Sequence, residues 1–133
     1  MANFGFSIAD FVSLSRLAWN VYKGCRDAPE SFQAVSNEVI NLHIILKEVD
    51  ELVSTSNLDP DKATDLRNIA GNCRTVLNDL QALLSKYRSL GTASRRTWDR
   101  LRFGQEDVQK IRSRLISVTS ILSAFNSSLT KYV

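Results

Sequence analysis

Residues 66–90 read LRNIAGNCRTVLNDLQALLSKYRSL. The apolar positions Leu66, Ile69, Cys73, Val76, Leu80, Leu83, Tyr87 and Leu90 follow one another in alternating steps of three and four. That spacing keeps one stripe of a helix facing its neighbours and is the seam of a left-handed helical bundle. A strand would alternate every second residue, and no such stretch occurs anywhere in the chain.

The same rhythm recurs on both sides. Upstream it runs through Phe32, Val35, Val39, Leu42, Leu46, Val49 and Val53, and downstream through Val108, Ile111, Leu115, Val118, Leu122, Phe125 and Leu129. Ile40, Ile44, Leu77, Leu84 and Ile121 widen these stripes beyond a two-stranded seam. The pattern predicts an all-α, up-down four-helix bundle rather than an extended coiled coil. The expected core includes Leu42, Leu46, Val76, Leu80, Leu83, Leu115, Val118 and Leu122.

Breaks in the pattern set the boundaries. Ser7-x-x-Asp10 reads as a capping box opening a helix over 7–26. Asp27-Ala28-Pro29-Glu30 ends it and opens a second over 29–54. Asp59-Pro60 supplies an N-cap and a first-turn proline for a third over 60–90, stopped by Gly91. A connector over 91–104, with a short extra helix from Ser94 to Leu101, leads to a last helix over 105–131, whose first turn carries Glu106 and Asp107. At 133 residues the chain forms one domain, 1–133, long enough for a real core.

The N-terminal helix differs from the others. Phe11, Leu14, Ala18, Val21, Tyr22 and Cys25 form one ordinary stripe; Ile8, Val12 and Trp19 form a second, displaced by roughly 100° round the axis. Only Asp10 and Arg16 are charged between Met1 and Tyr22. The segment lacks the basic start and cleavage site of a secretory signal. A helix from Ile8 to Cys25 would be about 27 Å long, short of a ~30 Å hydrocarbon core, and two charges interrupt it. Ala2 stands where N-myristoylation needs glycine. An apolar arc this wide implies a helix packed between several neighbours or one that leaves apolar surface for a second role.

Charge is unevenly spread although the net value is only +3. Met1 to Asp61 holds nine acids and four bases; Lys86 to Arg114 holds nine bases and three acids. The basic stretch interleaves Arg95, Arg96, Arg100 and Arg102 with Tyr87, Trp98 and Phe103. It reads as a wet connector capping the bundle end, or as a surface for an anionic membrane or an acidic protein. No nucleic-acid module is spelled here, and no nucleic-acid partner is expected.

Signatures of catalysis are missing. His43 stands alone in mid-helix between apolar residues and reads as a flank position. No strand-turn-helix setting surrounds a serine or cysteine, and there is neither a phosphate loop nor zinc-ligand spacing. Cys25 and Cys73 fall on apolar helical positions and read as buried free thiols in a reducing compartment. The expectation is a non-enzyme without cofactor or metal. Asn126-Ser127-Ser128 spells a glycosylation acceptor that reads as a chance match without a signal peptide.

Three segments carry a resemblance: GFSIADFVSLSRLAWNVYKGCRDAPESFQAVSNEVINLHIILKEV (5–49), GNCRTVLNDLQALLSKYRSLGT (71–92) and RRTWDRLRFGQEDVQKIRSRL (95–115). In this order they resemble the N-terminal helical domain of fungal NLR-like (STAND) receptors and related ankyrin-repeat proteins, akin to HeLo-like domains and to the coiled-coil domain of plant resistance receptors. The resemblance spans Phe4 to about Asn126 and implies a helical signalling domain placed ahead of a nucleotide-binding oligomerisation module or repeats. It implies a cell-death effector of innate immunity that self-associates on activation and meets the membrane through its first helix. Phe4, Phe6, Ile8, Val12 and Trp19 would then be the membrane-directed residues. The partners implied are other copies of the chain, an anionic membrane and the downstream modules of its own receptor, with a cytoplasmic location and recruitment to the plasma membrane. The chain would be one domain of a longer receptor. The alternative reading is a non-lytic bundle that binds an adaptor or holds its own receptor inactive.

Overall fold

A computed structural model describes residues 8–28, 32–55, 57–88 and 102–130, with side chains over 11–28, 32–55, 57–88 and 106–129. Its helices are α1 (Ile8–Arg26), α2 (Gln33–Thr55), α3 (Pro60–Arg88) and α4 (Arg102–Thr130), and no strand occurs among the described residues. The protein is an all-α four-helix bundle.

The seams read from the sequence face inward. Phe32, Val35, Val39, Leu42, Leu46 and Val49 of the second stripe are buried, as are Leu66, Cys73, Val76, Leu80 and Leu83 of the third. Val108, Ile111, Leu115, Val118, Leu122, Phe125 and Leu129 complete the core from α4. Of the residues expected to widen the stripes, Leu77 and Leu84 are buried. Ile44 and Ile121 are instead 50% and 48% exposed, because they sit on outer faces where no helix covers them.

Neighbour relations depart from a simple sequential ring. α1 packs against α2 and α3, and α4 packs against the same two; the pairs α1/α4 and α2/α3 lie across the bundle and meet at most marginally. Interhelical pairs fix the directions. Ser15 meets His43 while the Gln33 side chain reaches back to Arg26, so α1 and α2 are antiparallel. Glu38 pairs with Arg112, and Ile44 and Ile45 line a groove with Ser120 and Ser123, so α2 and α4 run parallel. Lys62 reaches Ser128 and Asp79 pairs with Arg114, making α3 and α4 antiparallel. The chain therefore alternates in direction, and α3 takes the position diagonal to α2.

Local chemistry explains the ends. Asp59 caps α3: its Oδ1 accepts the Lys62 amide at 2.8 Å and its carbonyl accepts the Ala63 amide at 3.0 Å. Gln33 Nε2 donates to the Arg26 and Ala28 carbonyls at 3.3 and 3.4 Å, satisfying acceptors that the end of α1 would leave open. α4 starts at Arg102, three residues before the sequence-based boundary, and runs through Gly104. A glycine weakens a helix by only ~1 kcal/mol relative to alanine, too little to stop one of this length. Ser7, Pro29, Leu90 and the expected connector helix from Ser94 to Leu101 lie outside the described residues.

At Gly24, α1 comes close to α3. A Cβ there would stand 2.8 Å from Arg88 Nη2 and 3.1 Å from Leu84 Cδ1. Cys25 and Cys73 are buried free thiols, and burial pushes each up to about 12, so neither offers a thiolate at neutral pH.

Candidate functional site on the outer face of α1

Two faces of α1 differ in burial. Phe11, Leu14, Ala18, Val21 and Cys25 are buried and hold the helix in the bundle. Roughly 100° round the axis Val12 is 39% and Trp19 is 40% exposed, apolar surface outside the core. Ile8 opens α1, its side chain lying outside the described residues, as do Phe4 and Phe6 entirely.

Trp19 is held in a ladder of rings along the α1–α2 seam. Its centroid lies 5.4 Å from that of Tyr22, one turn on, and 5.4 Å from that of His43 on α2. The Arg26 guanidinium stands 5.8 Å from the Tyr22 centroid and extends the ladder towards the end of α1. Spacing of this kind suits tilted ring contacts and cation–π attraction.

His43 fastens that ladder to the backbone of α1. Its Nδ1 lies 3.2 Å from the Ser15 carbonyl and 3.3 Å from Ser15 Oγ. With a proton on Nδ1 the ring donates to the carbonyl; with the proton on Nε2 the serine hydroxyl donates to Nδ1. Partial burial holds His43 below its ordinary range, the hydrogen bond to Ser15 opposes that shift, and the nearby Lys47 charge adds to it. The ring is therefore neutral at physiological pH. Sequence reading placed His43 on a flank; its tie to Ser15 and Trp19 depends on the antiparallel register of α1 and α2, which spacing alone does not reveal.

The basic stretch is only partly in view. Arg95, Arg96 and Arg100 lie outside the described residues, and Arg102 is seen only as the first backbone position of α4. Farther along the same helix, Arg114 Nη1 contacts Asp79 Oδ2 at 2.8 Å, and Arg112 Nε lies 3.5 Å from Glu38 Oε2. These bases tie α4 to α3 and α2.

A second surface feature lies on the other side of α2. The parallel helices α2 and α4 leave an open groove of about 620 Å³, lined by Asn41, Ile44, Ile45, Ser120, Ser123 and Ala124 among others. Its α4 wall is built from small side chains, which sequence periodicity marks only as non-core positions. Among the described residues no group of His, Cys, Asp and Glu could hold a metal ion. No described helix is long and apolar enough to cross a membrane.

Comparison with known proteins gives one positive result. Neither the curated proteins nor the solved structures yield a match. Residues 7–111, which include α1 to α3 and the start of α4, match SesA, the N-terminal domain on NACHT NTPases and P-loop NTPases, and the chain belongs to that family.

Proposed function

We propose that this SesA domain is the signalling effector of an NLR-like receptor of the fungal kind its sequence resembles, akin to HeLo-like domains. It acts by self-association and by contact of α1 with a membrane, leading to cell death. The observation that carries this reading is the exposed apolar flank of α1, Val12 and Trp19, on a helix whose other face is fully anchored. A family found at the N-terminus of nucleotide-binding proteins suits a domain that its receptor gathers into proximity. The downstream modules of that receptor are accordingly its first partners.

Membrane contact by a single copy would be interfacial. α1 is 19 residues long and does not qualify as a membrane span. Several gathered copies could place Asp10 and Arg16 on an interior surface, which lowers the cost of bringing charge into lipid. Arg95, Arg96, Arg100 and Arg102 would add electrostatic adhesion to acidic headgroups, worth about 1 kcal/mol per base near the surface. Reversing these four to Glu should weaken binding to anionic vesicles, and wild-type binding should fall as salt rises.

The test is dye leakage from anionic vesicles, alongside killing of fungal cells by the domain with and without residues 1–22. Because residues 1–22 include core positions, support requires leakage and killing that are lost on their removal and also lost in Val12→Glu with wild-type helicity kept. Equal killing by both forms removes α1 as the effector. One observation favours a second reading: the absence of a spanning helix among the described residues suits a domain that binds an adaptor or restrains its receptor without touching lipid. That reading predicts a folded, associating domain with no leakage at any concentration.

A further inference from the structure

The outer face of α1 carries a regular alternation. Val12, Arg16, Trp19, Lys23 and Arg26 follow at steps of four, three, four and three, so all five project from one side of the helix. Every one of them is exposed. The result is a ridge of two large apolar side chains set among three cations.

The groove between α2 and α4 has the opposite character. Its lining sets Ile44, Ile45 and Ala124 among Asn41 and the small hydroxyl side chains of α4, and Ile44 is half-exposed. Lys47, Glu48 and Glu51 follow Ile44 on the same face of α2, three, four and seven residues on, and all are exposed, so the acids outnumber the base along this rim. The α4 wall brings no opposing charge, since no ionisable residue occurs from Leu115 to Thr130. Among the described residues Arg16, Lys23, Glu48 and Glu51 take part in no ion pair.

We propose that α1 of one copy seats its outer ridge in the α2–α4 groove of a second copy, so that the folded domains join head to tail. Val12 and Trp19 meet Ile44 and the small wall formed by Ser120, Ser123 and Ala124, while Arg16 and Lys23 face Glu48 and Glu51. Charge decides between this and the symmetric alternative. Two α1 ridges packed on each other would oppose Arg16, Lys23 and Arg26 to the same cations, which is repulsive. A head-to-tail contact leaves one ridge and one groove free on every open assembly, so it propagates into a filament or closes into a ring instead of stopping at a dimer. The inference rests on the reading that the domain works by self-association and specifies the surfaces that do it; a ridge seated in a groove is withdrawn from lipid, so at any one copy Val12 and Trp19 serve the assembly or the membrane, not both.

Sedimentation of the 133-residue chain over a wide concentration range at low salt provides the test. Wild type should grow beyond a dimer, and Val12→Glu and Ser120→Arg should each stay monomeric while keeping wild-type helicity. Mixed together, these two variants should form a 1:1 heterodimer and nothing larger, because one retains an intact groove and the other an intact ridge. In a second pair that leaves the apolar contacts alone, Arg16→Glu/Lys23→Glu and Glu48→Lys/Glu51→Lys should each weaken association by about tenfold and regain it when mixed. A monomeric wild type, self-association by Ser120→Arg, or a mixture without heterodimer would overturn the proposal. Vesicle leakage reads the effector role separately: assembly without leakage sinks that role alone, and leakage by a chain that fails the mixing test sinks this interface alone.

Discussion

α1 and α3 are built on the same seam and end up as different surfaces. α3 buries Leu66, Ala70, Cys73, Val76, Leu77, Leu80, Leu83 and Leu84, and none of its large apolar side chains among the described residues is exposed. α1 buries a comparable stripe and still presents Val12 and Trp19 to solvent. The first pattern is what stability alone requires. The second keeps apolar area on the outside, where it stabilises little in the isolated fold and is available to something else. α2 and α4 also leave large apolar side chains outside, Ile44 on the one and Ile116 and Ile121 on the other, so the contrast sets α3, which exposes none, against the other three helices.

The sharpest way to break that contrast is to charge the two faces of α1 separately. Leu14 is 1% exposed, so Leu14→Glu would bury an unpaired carboxylate and should leave the domain unfolded by circular dichroism. Val12→Glu, two residues earlier but on the exposed flank, should shift stability by no more than about 0.5 kcal/mol. If the two variants melted alike, the flank would be core and the distinction between faces would disappear.

A cavity in α3 tests the other half. Leu80 is fully buried, and Leu80→Ala should cost roughly 2–5 kcal/mol in chemical denaturation. A loss below 1 kcal/mol would mean that the seam is loosely packed and that α3 is no better anchored than the α1 flank.

The His43 tie sharpens the comparison through pH. The folded protein holds His43 below its ordinary value of 6.5, chiefly through burial. Where a folded base is depressed, the unfolded chain binds more protons, so stability rises with pH. The contribution is therefore full above 6.5 and lost progressively as pH falls below it towards the lower folded value. Denaturation of wild type beside His43→Gln between neutral pH and pH 5 should show a steeper decline in wild type. Parallel curves would mean that His43 titrates alike in both states and that its burial against α1 does not make stability depend on pH.

The smallest expected effect belongs to the α3 cap. Removing the Asp59 carboxylate with Asp59→Ala should cost about 1 kcal/mol and leave the assembly state unchanged. An effect on association would connect the α2–α3 turn to the groove in a way that its position does not suggest.

Much of the fold is legible in the sequence, for a physical reason. A three-four spacing marks which side of a helix must leave water, and Leu42, Leu46, Leu80, Leu83, Leu115 and Leu122 are buried accordingly. The same spacing is silent about which helices touch. It did not disclose that α2 and α3 lie on a diagonal, so Ile44 and Ile121, read as extensions of the stripes, face solvent. Asp59-Pro60 announced the start of α3 because the cap is local in sequence; the Gln33 cap on α1 acts across a turn and carried no comparable signal. On the candidate surface the second α1 stripe was visible as a surplus of apolar residues. Its partners, Ser15 to His43 and Trp19 to His43, span an antiparallel register that only the packed structure defines.

The most direct test pairs thermal unfolding with vesicle leakage for wild type and Val12→Glu under the same conditions. The account predicts nearly equal melting temperatures, with leakage by wild type and none by the variant. Leakage undiminished by Val12→Glu, or leakage lost only alongside a collapse in melting temperature, would contradict the claim that the outer face of α1 is an active surface separate from the core.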